Sequence, residues 1–102
     1  MPNERIDPNA DTDTVTKIKE PSMYNVVMLN DDFTPMEFVV HVLKVFFRKS
    51  QADSTAIMLE IHTKGSSIVG VYTREVAETK TKNVNDYSKE HEFPLLTRMD
   101  RN

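Results

Sequence analysis

A chain of 102 residues with a net charge of −3 at neutral pH has room for one small domain. Its acidic and basic residues are interspersed, which leaves no basic face for nucleic acid, and no apolar run approaches the ~18 residues of a membrane span. Cysteine is absent, which excludes disulfides and thiolate chemistry, and the start of the chain lacks the basic and apolar pattern of a secretory leader; the expectation is a cytoplasmic protein.

Residues 1–20 are polar, carry Pro2 and Pro8, and hold only isolated apolar side chains. Such a segment cannot bury enough surface to offset its ordering entropy, and it is expected to be a disordered arm. Pro21-Ser22 marks the edge of the core domain, residues 21–102. The core opens with Met23 to Leu29 (MYNVVML), in which Tyr24, Val26 and Met28 alternate with Asn25, Val27 and Leu29. One face is strongly apolar and the other nearly so, as in a largely buried strand.

Asn30-Asp31-Asp32-Phe33-Thr34-Pro35-Met36-Glu37 then reads as a turn running into a helix. Asn and Asp favour turns because their side chains hydrogen-bond nearby backbone. Thr34 suits an N-cap, Pro35 the first helical position, and Glu37 the partner position of a capping box. A simple turn needs one such acidic or amide side chain, and two adjacent carboxylates repel; a cationic ligand group would justify the second.

The helix expected from Pro35 to about Lys49 carries Val39, Val42, Leu43 and Phe46 at helical spacing, with Met36, Phe38 and Phe47 widening the stripe. Ser50-Gln51-Ala52-Asp53 repeats the capping-box pattern, with Asp53 a second candidate cap, ahead of a helix over roughly Ser54 to Thr63. That helix places Ile57, Met58, Ile61 and His62 close together, and Gly65 can take the left-handed position that stops it. Ser67 to Tyr72 reads as a second strand, where Gly70 suggests a bulge or a close approach. Thr73 caps a third helix running to about Glu90, with Val76, Ala77, Val84 and Tyr87 inward and Glu75, Glu78, Lys80 and Lys82 solvated. Leu95 to Met99 reads as the last strand. The order β-α-α-β-α-β predicts an α+β sandwich, a three-stranded sheet with three helices on one face.

With these segments laid out, the chain resembles the ClpS family of adaptors. The resemblance rests on PSMYNVVMLNDDFTPMEFVVHVL, on IMLEIH, on GVYT and EVAETK, and on HEFPLL, covering about Pro21 to Met99. It implies a fold related to the C-terminal domain of the ribosomal stalk protein, no catalytic activity, no metal and no cofactor. By this resemblance Asn30, Asp31 and His62 hold the free α-amino group of a substrate protein. Thr34, Met36, Val39, Met58, Ile61 and Leu95 line a pocket for its first side chain, which is Leu, Phe, Tyr or Trp. Ile61 replaces a slightly smaller aliphatic residue common in the family. Glu75 and Lys80 help dock on the N-terminal domain of a ClpA-type AAA+ unfoldase, which passes N-degron proteins to the ClpAP protease. The adaptor is expected to be monomeric when free.

The chemistry agrees with that implication. A chain's α-amino group, with an unperturbed pKa of ~7.7–8, is mostly ammonium at neutral pH and offers three donors and no acceptor. An amide oxygen, a carboxylate and a neutral imidazole suit it as hosts, directly or through water. An unbranched or aromatic side chain suits an apolar pocket holding methionines. Each residue alone also has an ordinary reading: His62 as a structural histidine, Met36 and Met58 as core, the EVAETK charges as a solvated face, His41 and His91 as surface. Two other classes remain open from the residues themselves. One is a metal-dependent hydrolase using Asp31, Asp32 and His62, although no HExxH or comparable spacing is present. The other is a protein-binding module blind to amino termini.

Overall fold

The computed structural model describes residues 22–102, so the arm expected over residues 1–20 and the domain edge at Pro21 lie outside the described residues. Strand β1 (Met23–Leu29) is followed by helices α1 (Met36–Phe47) and α2 (Gln51–Lys64), strand β2 (Ser66–Thr73), helix α3 (Arg74–Glu90) and strand β3 (Leu96–Arg101). The sheet has the order β2-β1-β3 with both pairings antiparallel, which is the α+β arrangement expected from the sequence.

β1 lies in the centre of the sheet, which explains why its apolar residues fill both faces. Val26 and Met28 are fully buried with Val69 beneath the helices, while Val27 on the opposite face is covered by its register neighbours Ile68 and Arg98. That second face is open enough to leave Ile68 and Leu96 half exposed. Gly70 answers to both of its expected roles. The register slips between Val26 and Val27, whose partners are Gly70 and Ile68, so Val69 is the extra residue of a bulge. A Cβ on Gly70 would also stand 2.5 Å from the Tyr72 ring, closer than any side chain tolerates.

α1 buries Phe38, Val39, Val42, Leu43 and Phe47 as its periodicity predicts, but Met36 is 45 % exposed rather than packed into the stripe. The helix ends at Arg48, which takes the left-handed conformation at φ 56° with its N–H donating to the Leu43 carbonyl. α2 begins three residues before the expected Ser54. Ser50 is its N-cap, the hydroxyl accepting the Asp53 N–H at 3.0 Å, so Asp53 lies in the first turn and is not the cap.

Along α3 the buried positions are Ala77, Val84 and Ser88, one stripe at intervals of seven and four residues. Val76, expected to face inward, sits about 100° round the helix from Ala77 and is exposed. Two polar ties fasten this helix. Asn85 accepts the Thr97 N–H at 2.8 Å and donates to the Thr97 carbonyl at 3.0 Å, so a side chain covers the outer edge of β3 where a further strand would pair. Lys80 donates to the Phe46 carbonyl at 2.9 Å, in the last turn of α1, where a cation meets the negative end of the helix dipole. Its ammonium also stands over the Phe47 and Tyr72 rings, and burial pushes the Tyr72 phenol pKa up.

Candidate functional site

Between β1 and α1 the chain turns through residues 30–35, and the Asp31 carboxylate shapes that turn. Its Oδ1 accepts the Phe33 N–H at 2.8 Å and the Thr34 N–H at 2.7 Å, while Oδ2 accepts the Thr34 hydroxyl at 2.7 Å. A carboxylate has about four acceptor positions, so three are committed within the loop and one is left.

This geometry corrects the expected capping box. The Val39 N–H donates to the Pro35 carbonyl at 3.2 Å, which makes Pro35, in extended conformation, the N-cap in place of Thr34. The Thr34 hydroxyl is drawn to the charged Asp31 oxygen instead, a stronger acceptor interaction than a neutral helix N–H offers.

The second half of the site arrives from α2. Gly65 closes that helix at φ 93°, its N–H donating to the Ile61 carbonyl at 2.8 Å. Its own carbonyl accepts the Asn30 N–H at 2.9 Å, so the end of β1 and the end of α2 are joined by one backbone bond. His62, in the last turn of α2, is thereby held beside Asn30 and Asp31. Gly65→Ala should lower stability by ~1 kcal/mol, because the added Cβ meets no atom within 4 Å and only the left-handed backbone is penalised. A thermal melt checks this, with an expected fall of about 4–8 °C for a domain of this size.

One cavity of about 370 Å³ lies between these elements, lined by Asn30, Asp31, Asp32, Phe33, Thr34, Pro35, Met36, Val39, Met58, Ile61 and His62. Its floor is apolar and buried, with Val39, Met58 and Ile61 at 7 %, 9 % and 2 % exposure. Its mouth carries the acceptors Asn30, Asp31, Asp32 and His62, and among the described residues no lysine or arginine lines it. Negative charge at the entrance of an apolar cleft favours a cation with an apolar substituent.

The structure thus gathers eight of the nine substrate-site residues named from the sequence into one cavity. Leu95 is not among the lining residues. It is 3 % exposed and belongs to the core cluster that includes Val39, Met58 and Ile61. Asp32, Phe33 and Pro35 also line the cavity and were not among those nine. Asp32 had a signal in the sequence, since the turn needs only one carboxylate, and Phe33 had one in being an aromatic residue inside an anionic turn. Glu75 and Lys80 lie elsewhere, on a groove of about 300 Å³ shared with Phe46, Val76, Thr79 and Asn83. His41, exposed as expected, has a partner distant in sequence, its Nε2 lying 2.9 Å from the Tyr87 hydroxyl. Among the described residues no group of three or more His, Cys, Asp or Glu side chains is placed to hold a metal ion, and no helix is long and apolar enough to cross a membrane.

Comparison with known proteins gives this geometry a family. The family described as ATP-dependent Clp protease adaptor protein ClpS matches residues 19–98. An ATP-dependent Clp protease adapter protein ClpS of Parvibaculum lavamentivorans is 53 % identical over 90 residues, covering 88 % of this chain and 82 % of its own. The ClpS of Hydrogenovibrio crunogenus is 55 % identical over 84 residues, covering 82 % of this chain and 81 % of its own. Among solved structures, Agrobacterium tumefaciens ClpS2 bound to L-phenylalaninamide superimposes with a TM-score of 0.80 at 43 % identity, covering 81 % of this chain and 100 % of that one. With a match across the described fold and relatives more than half identical, the chain belongs to the ClpS family of Clp protease adaptors.

Proposed function

We propose that the cavity grips the first residue of a protein chain and that the adaptor presents the gripped protein to a ClpA-type unfoldase of the Clp protease. The observation that carries this reading is the combination of an anionic, acceptor-rich mouth and a buried apolar floor in a single cavity. An α-ammonium would sit against the Asn30 amide oxygen, the remaining acceptor position of Asp31 and His62. Its side chain, Leu, Phe, Tyr or Trp, would enter between Met36, Val39, Met58 and Ile61. Asp32 adds a second negative charge at the mouth, and Thr34 holds the loop through Asp31. L-Phenylalaninamide, the ligand of the Agrobacterium relative, supports the reading. It combines a free amine, an aromatic side chain and an amide where the next residue of a chain would begin.

In this reading the adaptor breaks no bond. It selects, in the cytoplasm, which proteins reach the protease, and Glu75 with Lys80 marks the groove that docks on the unfoldase's N-terminal domain. Because Lys80 is tied to the Phe46 carbonyl, its part there includes holding α1 and α3 at the spacing that forms the groove.

Acetylating the amino terminus of a leucine-first peptide removes its charge and two of its three donors. Each charge-assisted hydrogen bond is worth ~1.5–3 kcal/mol, so affinity should fall by at least about a hundredfold. Fluorescence anisotropy of one peptide in free and acetylated forms measures this. Equal binding of the two would replace the adaptor reading with a binding surface blind to amino termini.

A further inference from the structure

Among the described residues Phe33 is the most exposed of the large apolar side chains, at 79 %, and it stands at the rim of the cavity. Its position is fixed, because its own N–H is held by Asp31 Oδ1 at 2.8 Å and the next residue's N–H by the same oxygen at 2.7 Å. An aromatic ring held in water on a braced loop carries apolar area that only a ligand or partner removes from solvent.

Resting on the first-residue reading above, we infer that Phe33 is a second specificity element, a platform for the apolar side chain of the substrate's second residue. Successive side chains of an extended chain point to opposite sides, and successive Cα atoms are ~3.8 Å apart. A first side chain directed down to Val39, Met58 and Ile61 therefore sends the second one outward, to the level of the rim. Of the apolar lining residues, Pro35 and Met36 are also exposed, but Met36 belongs to the first turn of α1 and Pro35 is the compact N-cap ring, so Phe33 carries the one large apolar side chain of the loop that holds the amine acceptors. The occupant is accordingly an aliphatic or aromatic second residue, which a ring face accepts without hydrogen-bond demands.

The test uses the full chain and labelled peptides that share a leucine first residue and differ at the second, Gly, Leu or Phe. Covering part of one ring and part of a side chain should make the Leu- and Phe-second peptides bind about three- to tenfold more tightly than the Gly-second one. Phe33→Ala should bring that ratio close to one with the Gly-second peptide nearly unaffected, and Phe33→Leu should restore part of it. A ratio already near one in the unaltered protein, or a ratio that survives Phe33→Ala, overturns the inference. So does an equal loss for all three peptides, which would make Phe33 a loop support, or unchanged peptide binding with failed delivery to the protease, which would make it an unfoldase contact. The acetylated Gly-second peptide separates the two proposals: if it binds as well as the free form, the first-residue reading fails whatever the Phe33 ratio shows.

Discussion

Asp31→Ala should reduce binding of every peptide with a free amino terminus and a large first residue by at least about a hundredfold. Two losses combine. The loop loses three hydrogen bonds, from the Phe33 N–H, the Thr34 N–H and the Thr34 hydroxyl, and the mouth loses one of its negative charges. Hydrogen bonds to charged groups are worth ~1.5–3 kcal/mol each, so one ligand contact with partial collapse of the loop accounts for the figure. The fold should persist, since no residue of this turn belongs to the core cluster. Asp31→Asn divides the effect. Its amide oxygen still accepts the two backbone N–H groups, while the charge is gone, and binding should fall by only about tenfold. Equal impairment by Asp31→Asn and Asp31→Ala would leave charge alone as the contribution of Asp31; unimpaired binding by the alanine variant would remove it from the site.

The second large effect concerns selectivity among aliphatic first residues. Met36 lies in the first turn of α1, lines the cavity and is 45 % exposed. Helical side chains lean toward the N-terminus, which directs its thioether to the loop of Asn30, Asp31 and Asp32. Leucine and phenylalanine bring one heavy substituent on Cβ past that point. Isoleucine and valine bring two, on a stiff χ1 that cannot turn one aside. A clash there costs ~1–3 kcal/mol, about ten- to a hundredfold between Leu and Ile. Met36→Ala should raise affinity for Ile- and Val-first peptides by that factor and leave Leu-first binding nearly unchanged. A half-exposed residue contributes little to the core, so the melting temperature should hardly move. An unchanged Leu-to-Ile ratio would show that Met36 is no gate.

The elements were legible because the apolar spacing of β1, α1 and the later part of α3 reports directly on which face is buried. Gly65 and Gly70 were legible because one takes a φ of 93°, which favours glycine, and the other lies where an added Cβ would displace the Tyr72 ring. What escaped depends on competition or distance. Thr34 has cap chemistry, but the Asp31 carboxylate takes its hydroxyl. Ser50 and Asp53 both have cap chemistry, and the choice falls on the residue whose backbone is extended, which composition does not report. Val76 was misplaced because α3 holds few apolar residues, too few to fix the angle of its stripe. The tie from Lys80 to the Phe46 carbonyl and the contact of His41 with Tyr87 span 34 and 46 residues, and only tertiary packing brings them together. In the site itself, the acceptors and the cavity floor came from the joint family resemblance, since His62, Met36 and Met58 each also have an ordinary reading when taken alone. Leu95, assigned by the same resemblance, packs in the core cluster beside Val39, Met58 and Ile61 and is not among the residues lining the cavity.

The central place of β1 has a mechanical consequence. Tension applied at Met23 enters the strand that is bonded along both edges, to β2 from Met23 to Leu29 and to β3 from Tyr24 to Leu29. The load is shared by two antiparallel ladders before it reaches Asn30 at the strand's far end. The start of the described domain and the cavity loop therefore lie at opposite ends of a single seven-residue strand. Any pull on the start of the domain would work first against both ladders of the sheet before it could distort the cavity loop. Once the sheet yields, the backbone bond from Asn30 to Gly65 loses one of its two anchorages, and the cavity disappears with the strand. If the cavity holds cargo as proposed, the fold would act as a fuse, keeping that cargo under moderate pull and releasing it all at once when the sheet gives way.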